Sequence, residues 1–230
     1  MFGPIKNVVF DFDGTLVDSM ASVIDGLGSA LEATLGRRIS EQELLASFGP
    51  APQDVIRKWV PEAQVAETFA KWIAFEAKQT PADFIPFEGV EELLEGLKKL
   101  GIGIGIFTGR DRLGTLRIAK HQQWVGKFFD EAGMICGDDG FAAKPKPDAL
   151  IELLGRMKWD PATVLMVGDH AYDMMAGQAA GTKTAAALWD LPKGKATEKG
   201  RFREGWKKWD SVPCDLRLAS PKSLLAWFNT

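Results

Sequence analysis

Short apolar runs alternate with amphipathic stretches along most of the chain, with one long interruption. Val8, Val9 and Phe10 form a run of the kind that makes a buried parallel strand. From Met20 the apolar positions change to helical spacing, through Val23, Ile24, Leu27, Leu31 and Leu35, with Gly36 as the stop. Ser40 with Glu43 reads as a capping box that opens a second helix through Phe48. Gly49-Pro50-Ala51-Pro52 breaks it. Two further helical stretches are predicted at about 54–59 and 62–79, the second with Val65, Phe69, Trp72 and Ile73 on one face. No strand pattern is visible between Ser19 and Ala82, so an all-helical insert directly follows the first strand.

The alternation resumes at Phe84. Residues 88–100 give the clearest amphipathic helix, with Val90, Leu93, Leu94, Leu97 and Leu100 on one face and Gly101 after it. A strand at 102–107, a helix at about 111–122 and a short strand near 134–136 follow. After a loop at 137–147 come a helix at 148–157, a strand at 164–167, a helix at 172–180 and a strand at 184–188. Strand–helix alternation with right-handed crossovers predicts an α/β fold, a doubly wound parallel sheet. The insert divides it into a core of residues 1–18 and 83–230 and a helical domain of residues 19–82.

Composition adds bounds. A hydrophobic fraction of 46% supports a real core, and a net charge of −3 sets up no global field toward nucleic acid or membrane. The opening MFGPIKNVVF is too short and too soon structured for a signal peptide, and no apolar run is long enough to cross a bilayer. Cys136 and Cys214 lack metal-type spacing and read as buried free thiols in a reducing cytosol. The expectation is a cytoplasmic protein, monomer or homodimer, with no nucleic-acid or membrane partner.

The polar residues that carry chemistry stand at strand ends. The first run stops at Asp11 and Asp13, followed by Gly14 and Thr15, and open α/β sheets bind ligands just beyond the carboxyl ends of their strands. A turn at Phe12-Asp13-Gly14 can bring both acids to one pocket, Gly14 relieving its steric limit. One carboxylate then suits a nucleophile and metal ligand, the other a general acid/base. The same acids could instead be a cap and a turn residue. Thr108 ends the 102–107 strand, Lys144 follows the loop, and Asp169 with Asp173 ends the 164–167 strand. Thr108 and Asp169 could merely cap helices, and Lys144 could be a solvated loop residue. Their shared placement on one sheet edge fits phosphoryl transfer to an aspartate. Thr108 and nearby backbone N–H groups would bind phosphate, Lys144 would neutralise it, and Asp169 would add an anionic ligand for a hard cation such as Mg²⁺.

FDFDGTLVDS, FTGR, KPKPD and GDHAYDM resemble motifs one to four of the haloacid dehalogenase superfamily, in that order. The segment FIPFEGVEELLEGLKKLGIGIGIFTGR is similar to the phosphoglycolate-phosphatase-like branch, whose helical cap is inserted after motif one. The resemblance implies that Asp11 is the nucleophile and Asp13 the acid/base. It implies that Thr108 is the phosphate-binding hydroxyl and Lys144 the stabilising lysine. Asp169 is then the acidic Mg²⁺ ligand and Asp173 the outer acid, with Asp11 and the backbone carbonyl of Asp13 completing the metal site. Gly109, beside Thr108, and Gly49, in the cap turn, are expected at the substrate. The implied partner is a small phosphorylated metabolite, hydrolysed through an aspartyl-phosphate. A phosphomutase of the β-phosphoglucomutase type, a phospho-aspartate signalling receiver and a binding protein on a decayed phosphatase are the alternatives. Asp13 speaks for hydrolysis, and against a haloacid dehalogenase itself.

Two features depart from the pattern. His170 stands where relatives often carry Ser, in a capping role or at the substrate. Residues 189–210 are basic and Trp-rich, with Phe202, Trp206 and Trp209 on one helical face, either a decoration packed on the body or a binding surface.

Overall fold

Strand β1 (Asn7–Phe10) is buried along its whole length, which a strand covered by helices on both faces requires. The structure, a computed structural model, describes residues 3–47, 52–189 and 212–229. In it β1 lies between β4 (Gly103–Phe107) and β6 (Val164–Gly168), parallel to both. β5 (Met134–Ile135) extends the sheet beyond β4; β7 (Lys183–Ala187) and β8 (Leu216–Leu218) extend it beyond β6. The six-stranded order is β5-β4-β1-β6-β7-β8. Helices α5 (Val90–Lys99), α6 (Arg112–His121), α7 (Asp148–Met157), α8 (Ala171–Ala179) and α9 (Pro221–Phe228) complete the α/β body. One apolar cluster joins Val8, Phe10 and Ile106 to Leu93 and Leu97 of α5, and a second joins Val9 and Met166 to Leu150 and Leu153 of α7, so the sheet is sandwiched.

The insert forms α1 (Met20–Leu35), α2 (Glu41–Ser47), α3 (Pro52–Arg57) and α4 (Glu62–Glu76). Its apolar faces meet in a separate cluster that includes Ile24, Leu27, Leu31, Val55, Ile56 and Trp72. Gly36 ends α1 at φ 65°, the left-handed geometry the stop residue requires. The Ser40–Glu43 capping box is present, each side chain accepting the other's backbone N–H. The chain enters and leaves the insert through β2 (Val17–Asp18) and β3 (Ile85–Pro86), which pair antiparallel.

Several boundaries differ from the sequence reading. α3 starts at Pro52, tolerated in a first turn, and stops before Trp59. α4 ends at Glu76, after which Lys78 and Gln79 donate to the carbonyls three residues back, a tightened turn. Leu100 caps α5 rather than joining its apolar face and is 45% exposed. The β2–β3 ladder escaped pattern reading because each strand has two residues, and β8 because three residues carry no usable period. Phe48, the Gly49–Ala51 turn and residues 190–211 lie outside the described residues. Among the described residues no helix is long and apolar enough to cross a membrane.

Candidate active site

β1, β4 and β6 run parallel, so their carboxyl ends open on one edge, and Asp11, Thr108 and Asp169 follow them directly. Asp11 is 9% exposed, Thr108 and Asp169 2%, Asp173 1%: these acids are out of water, where a carboxylate needs partners. Lys144 supplies two contacts from the loop before α7. Its Nζ donates to Asp11 Oδ1 at 2.8 Å and forms an ion pair with Asp173 Oδ1 at 2.6 Å. It also lies over the Phe107 ring, 4.5 Å from the centroid. Thr108 Oγ1 accepts the Arg110 N–H at 3.1 Å, and Gly109 lines the same pocket. Asp169 Oδ1 accepts from the Thr15 hydroxyl at 3.3 Å.

Asp173 does two jobs. Its Oδ2 accepts the His170 N–H at 2.9 Å, closing a capping box at the start of α8, while Oδ1 faces Lys144. His170 is a cap as well, its Nδ1 accepting from the Tyr172 N–H at 3.2 Å. Gly168 permits this closeness: a Cβ there would sit 2.3 Å from Asp173 Cγ.

Asp11, Asp169 and Asp173 each offer a carboxylate oxygen, all within 4.8 Å of one another. Burial raises the Asp11 pKa well above the usual carboxylate value; Lys144 opposes this, and Asp173 and Asp169 add to it. Burial alone would lower Lys144, but Asp11 and Asp173 outweigh it and hold the ammonium charged. Three carboxyl groups thus face a single ammonium, and the cluster's donors are all hard oxygens. That combination fits a small divalent cation.

Asp13 is expected at the metal through its backbone carbonyl; its carboxylate lines the same pocket and pairs with Arg110 and Ser19. Arg110 Nη2 donates to its Oδ1 at 2.9 Å and Nε to its Oδ2 at 2.9 Å, and the Ser19 hydroxyl donates to Oδ1 at 2.5 Å. Arg110 is itself buried and pairs through Nη1 with Glu76 of α4. Burial would depress the guanidinium, but Asp13 and Glu76 together raise its pKa above normal. The sequence reading assigned no role to Arg110 or Glu76. Arg110 stands in the FTGR motif; Glu76 gives no signal in the sequence, being one of several acids on its helix.

The pocket in front of these groups has two characters. Asp11, Thr108, Lys144 and Asp169 line the sheet edge, and Met20, Val23 and Trp72 line the side formed by the insert. Cys136 borders it too, and burial pushes its thiol up to about 12 against the pull of Arg112. Gly49, expected at the substrate, lies outside the described residues.

Residues 8–187 match the profile of the haloacid dehalogenase-like hydrolases. The chain belongs to that family. It is thus an enzyme of the hydrolase class. Pyrophosphatase PpaX of Bacillus thuringiensis (strain Al Hakam) is 33% identical over 192 residues, 84% of this chain and 87% of the relative. A haloacid dehalogenase-like hydrolase from Bacteroides fragilis, so named provisionally, superposes with a TM-score of 0.79 at 24% identity, covering 96% of this chain and 99% of the other. A candidate phosphoglycolate phosphatase from Lactobacillus plantarum gives 0.78 at 20% identity, over 97% and 99% of the two chains. These two likenesses show the fold: a parallel Rossmann-like sheet with flanking helices and a helical insert.

Proposed function

We propose that the protein is a Mg²⁺-dependent phosphatase that hydrolyses a small phosphomonoester through an aspartyl-phosphate on Asp11. The observation that carries this reading is the placement of Asp11, buried at the end of the central strand, 2.8 Å from Lys144 and clustered with Asp169 and Asp173. An Asp11 oxygen attacks phosphorus while the bond from phosphorus to the leaving oxygen breaks. Asp13 gives its proton to that oxygen. Water then attacks the phosphoryl group, Asp13 takes the water's proton, and the Asp11–phosphate bond breaks to release inorganic phosphate. Lys144 and the Thr108 hydroxyl balance charge on the phosphoryl oxygens. Asp11, Asp169 and the Asp13 carbonyl would hold Mg²⁺, with Asp173 as the outer acid, as the resemblance implies. When bound there, Mg²⁺ supplies the positive charge that lets a phosphate dianion approach three acids.

In this reading residues 19–82 act as a cap over a core of residues 1–18 and 83–230, and the β2–β3 ladder is the connection on which the cap turns. The enzyme works in the cytoplasm, as monomer or homodimer, on a small phosphorylated metabolite. The naming of the 33% identical relatives favours a second substrate, inorganic pyrophosphate. Turnover of 4-nitrophenyl phosphate, phosphoglycolate and pyrophosphate, each with and without Mg²⁺, tests both readings. Absence of Mg²⁺-dependent phosphate release from all three, or failure to trap phosphate on Asp11, would overturn the first. The ranking of kcat/KM decides the substrate.

A further inference from the structure

Glu76, the last residue of α4, is 3% exposed and meets the guanidinium of Arg110. The two come from different parts of the chain. Arg110 belongs to the sheet edge: its N–H donates to Thr108 Oγ1 at 3.1 Å and its carbonyl accepts the Gly137 N–H at 2.9 Å. Glu76 belongs to the insert, whose end is fastened by Arg117 of α6, donating to the Glu76 carbonyl at 2.6 Å and the Ala77 carbonyl at 3.0 Å. Between them, Arg110 Cζ lies 5.1 Å from the Phe84 ring centroid. A guanidinium presents its donors in a rigid plane. Here Nε and Nη2 clasp Asp13 and Nη1 goes to Glu76. With the Ser19 hydroxyl also on Oδ1, both Asp13 oxygens are engaged. Oδ1 carries three of these contacts and Oδ2 one, so the clasp fixes the carboxylate toward Arg110 and limits where it can carry the proton it must deliver.

We propose that Arg110 is a positioning residue for Asp13, and that Glu76 on the insert sets how firmly Arg110 grips it. The inference rests on the reading of Asp13 as acid/base. One guanidinium serves two carboxylates, so Glu76 competes with Asp13 for the same cation. While Glu76 is in place the clasp is shared, and Asp13 can be freed to meet the leaving oxygen. Without the Glu76 charge, Arg110 serves Asp13 alone and holds it back. The polar link between insert and sheet edge thus reaches the proton donor itself. A structural ion pair that only docks α4 would affect all substrates alike.

The test uses the full chain with Mg²⁺ and two substrates of nearly the same shape, phenyl phosphate and 4-nitrophenyl phosphate. Phenolate is the more basic leaving group and needs the proton; 4-nitrophenolate needs it far less. kcat/KM reports every step through departure of the leaving group, so the ratio of the two values isolates proton donation. Glu76→Gln is expected to lower the phenyl to 4-nitrophenyl ratio about ten-fold, part of the roughly 10²–10⁴ that general acid catalysis supplies. Arg110→Lys keeps the charge but loses the fork. It is expected to raise the ratio, and in that background Glu76→Gln should change the ratio less than about two-fold, the non-additivity expected of residues acting as one unit. Equal losses on both substrates for Glu76→Gln, or an undiminished Glu76→Gln effect in the Arg110→Lys background, would overturn the proposal. If Glu76→Gln does not fold, Arg110→Lys alone decides, a raised ratio supporting and a flat ratio rejecting it. If Asp13→Asn leaves the ratio at the wild-type value, the acid/base reading fails and takes this inference with it. A ratio sensitive to Asp13 but not to Glu76 or Arg110 removes the inference alone.

Discussion

Lys144 Nζ donates to Asp11 Oδ1 at 2.8 Å across 133 residues of chain, joining the loop before α7 to the end of the central strand. The lysine is nearly as buried as its partner, each side chain being 12% exposed. Its charge is therefore little screened by water and is aimed where phosphoryl oxygens would gather. Lys144→Met is expected to lower kcat by about 10²–10³, the loss typical of removing one preorganised stabilising group. Lys144→Arg should recover only part of that, because a flat fork cannot take the position of a point charge between Asp11 and Asp173. Steady-state kinetics on 4-nitrophenyl phosphate check this; near-normal kcat in Lys144→Met would remove the residue from the chemistry.

Asp11→Asn preserves shape but not nucleophilicity. It is expected to abolish turnover with the circular-dichroism spectrum unchanged. It should raise the melting temperature of the metal-free protein, because Asp11 is a buried acid whose pKa is raised by burial and by its acidic neighbours. The sign follows from linkage: a carboxylate whose folded pKa lies above its unfolded value destabilises the fold once pH rises past the unfolded value, and that cost disappears with the ionisable group. Phosphate or a BeF₃⁻ mimic should attach to wild type and not to the variant. Retained activity in Asp11→Asn would end the covalent mechanism.

Three carboxylate oxygens within 4.8 Å repel one another, and a cation relieves them. Mg²⁺ should therefore raise the melting temperature; at a hundred times its Kd the stabilisation is about 2.7 kcal/mol for a ligand that binds only the folded state. EDTA should remove activity and Mg²⁺ restore it. Ca²⁺ should restore little, its looser and longer coordination misplacing the phosphate. Asp169→Asn should weaken the Mg²⁺ requirement's midpoint by at least the roughly 10–100-fold that loss of an outer-shell partner costs. A melting curve indifferent to Mg²⁺ and EDTA would contradict the metal site.

How far the sequence carried this picture follows from the physics of each signal. Strand ends in an α/β sheet are marked by abrupt apolar-to-polar steps, so Asp11, Thr108 and Asp169 were legible, and parallel topology brings them to one edge. Helices with caps were legible to within a few residues, as at Ser40–Glu43 and Gly36. Two-residue and three-residue strands were not, because β2, β3 and β8 are held by pairing partners rather than by a period of their own. Where each carboxylate points was illegible too. Asp13 turns to Arg110 and Ser19 because those donors converge from β4 and the start of α1, a tertiary coincidence no local pattern encodes. Glu76 was hidden for the same reason: among the acids of α4, only contact with a buried arginine distinguishes it.

Cys136 offers a check on the burial of the pocket edge. With its thiol pushed up to about 12, it is a thiol rather than a thiolate from pH 7 to 9. Cys214 is only half-buried. In native protein at pH 8, a thiol reagent such as iodoacetamide should modify Cys214 first and leave Cys136 largely intact, while denaturant should expose both. Peptide mapping by mass spectrometry reads the order. Faster labelling of Cys136 would mean that the pocket edge is open to solvent.

Gly14 ties the turn after β1 to the cluster of buried carboxylates. Its φ of +77° is a conformation that L side chains rarely adopt, and a Cβ there would lie 2.6 Å from Asp169 Oδ2. Backbone and contact thus act against any side chain, and the contact falls on a proposed metal ligand. The backbone part alone should cost about 1–2 kcal/mol, or roughly 2–8 °C in melting temperature for a chain of this size. Relief of the contact requires either Asp169 to swing away or the turn to shift, and the turn carries Asp13, whose carbonyl is assigned to the metal. Gly14→Ala is therefore expected to do what an ordinary destabilising substitution does not: to raise the Mg²⁺ concentration needed for half-maximal activity together with the fall in melting temperature. A surface glycine of similar geometry serves as the comparison; Gly36, at φ 65° with nothing near its Cβ position, should lose stability on change to Ala and keep its Mg²⁺ dependence. If Gly14→Ala and Gly36→Ala show the same Mg²⁺ midpoint, the close approach of Gly14 to Asp169 has no bearing on the metal.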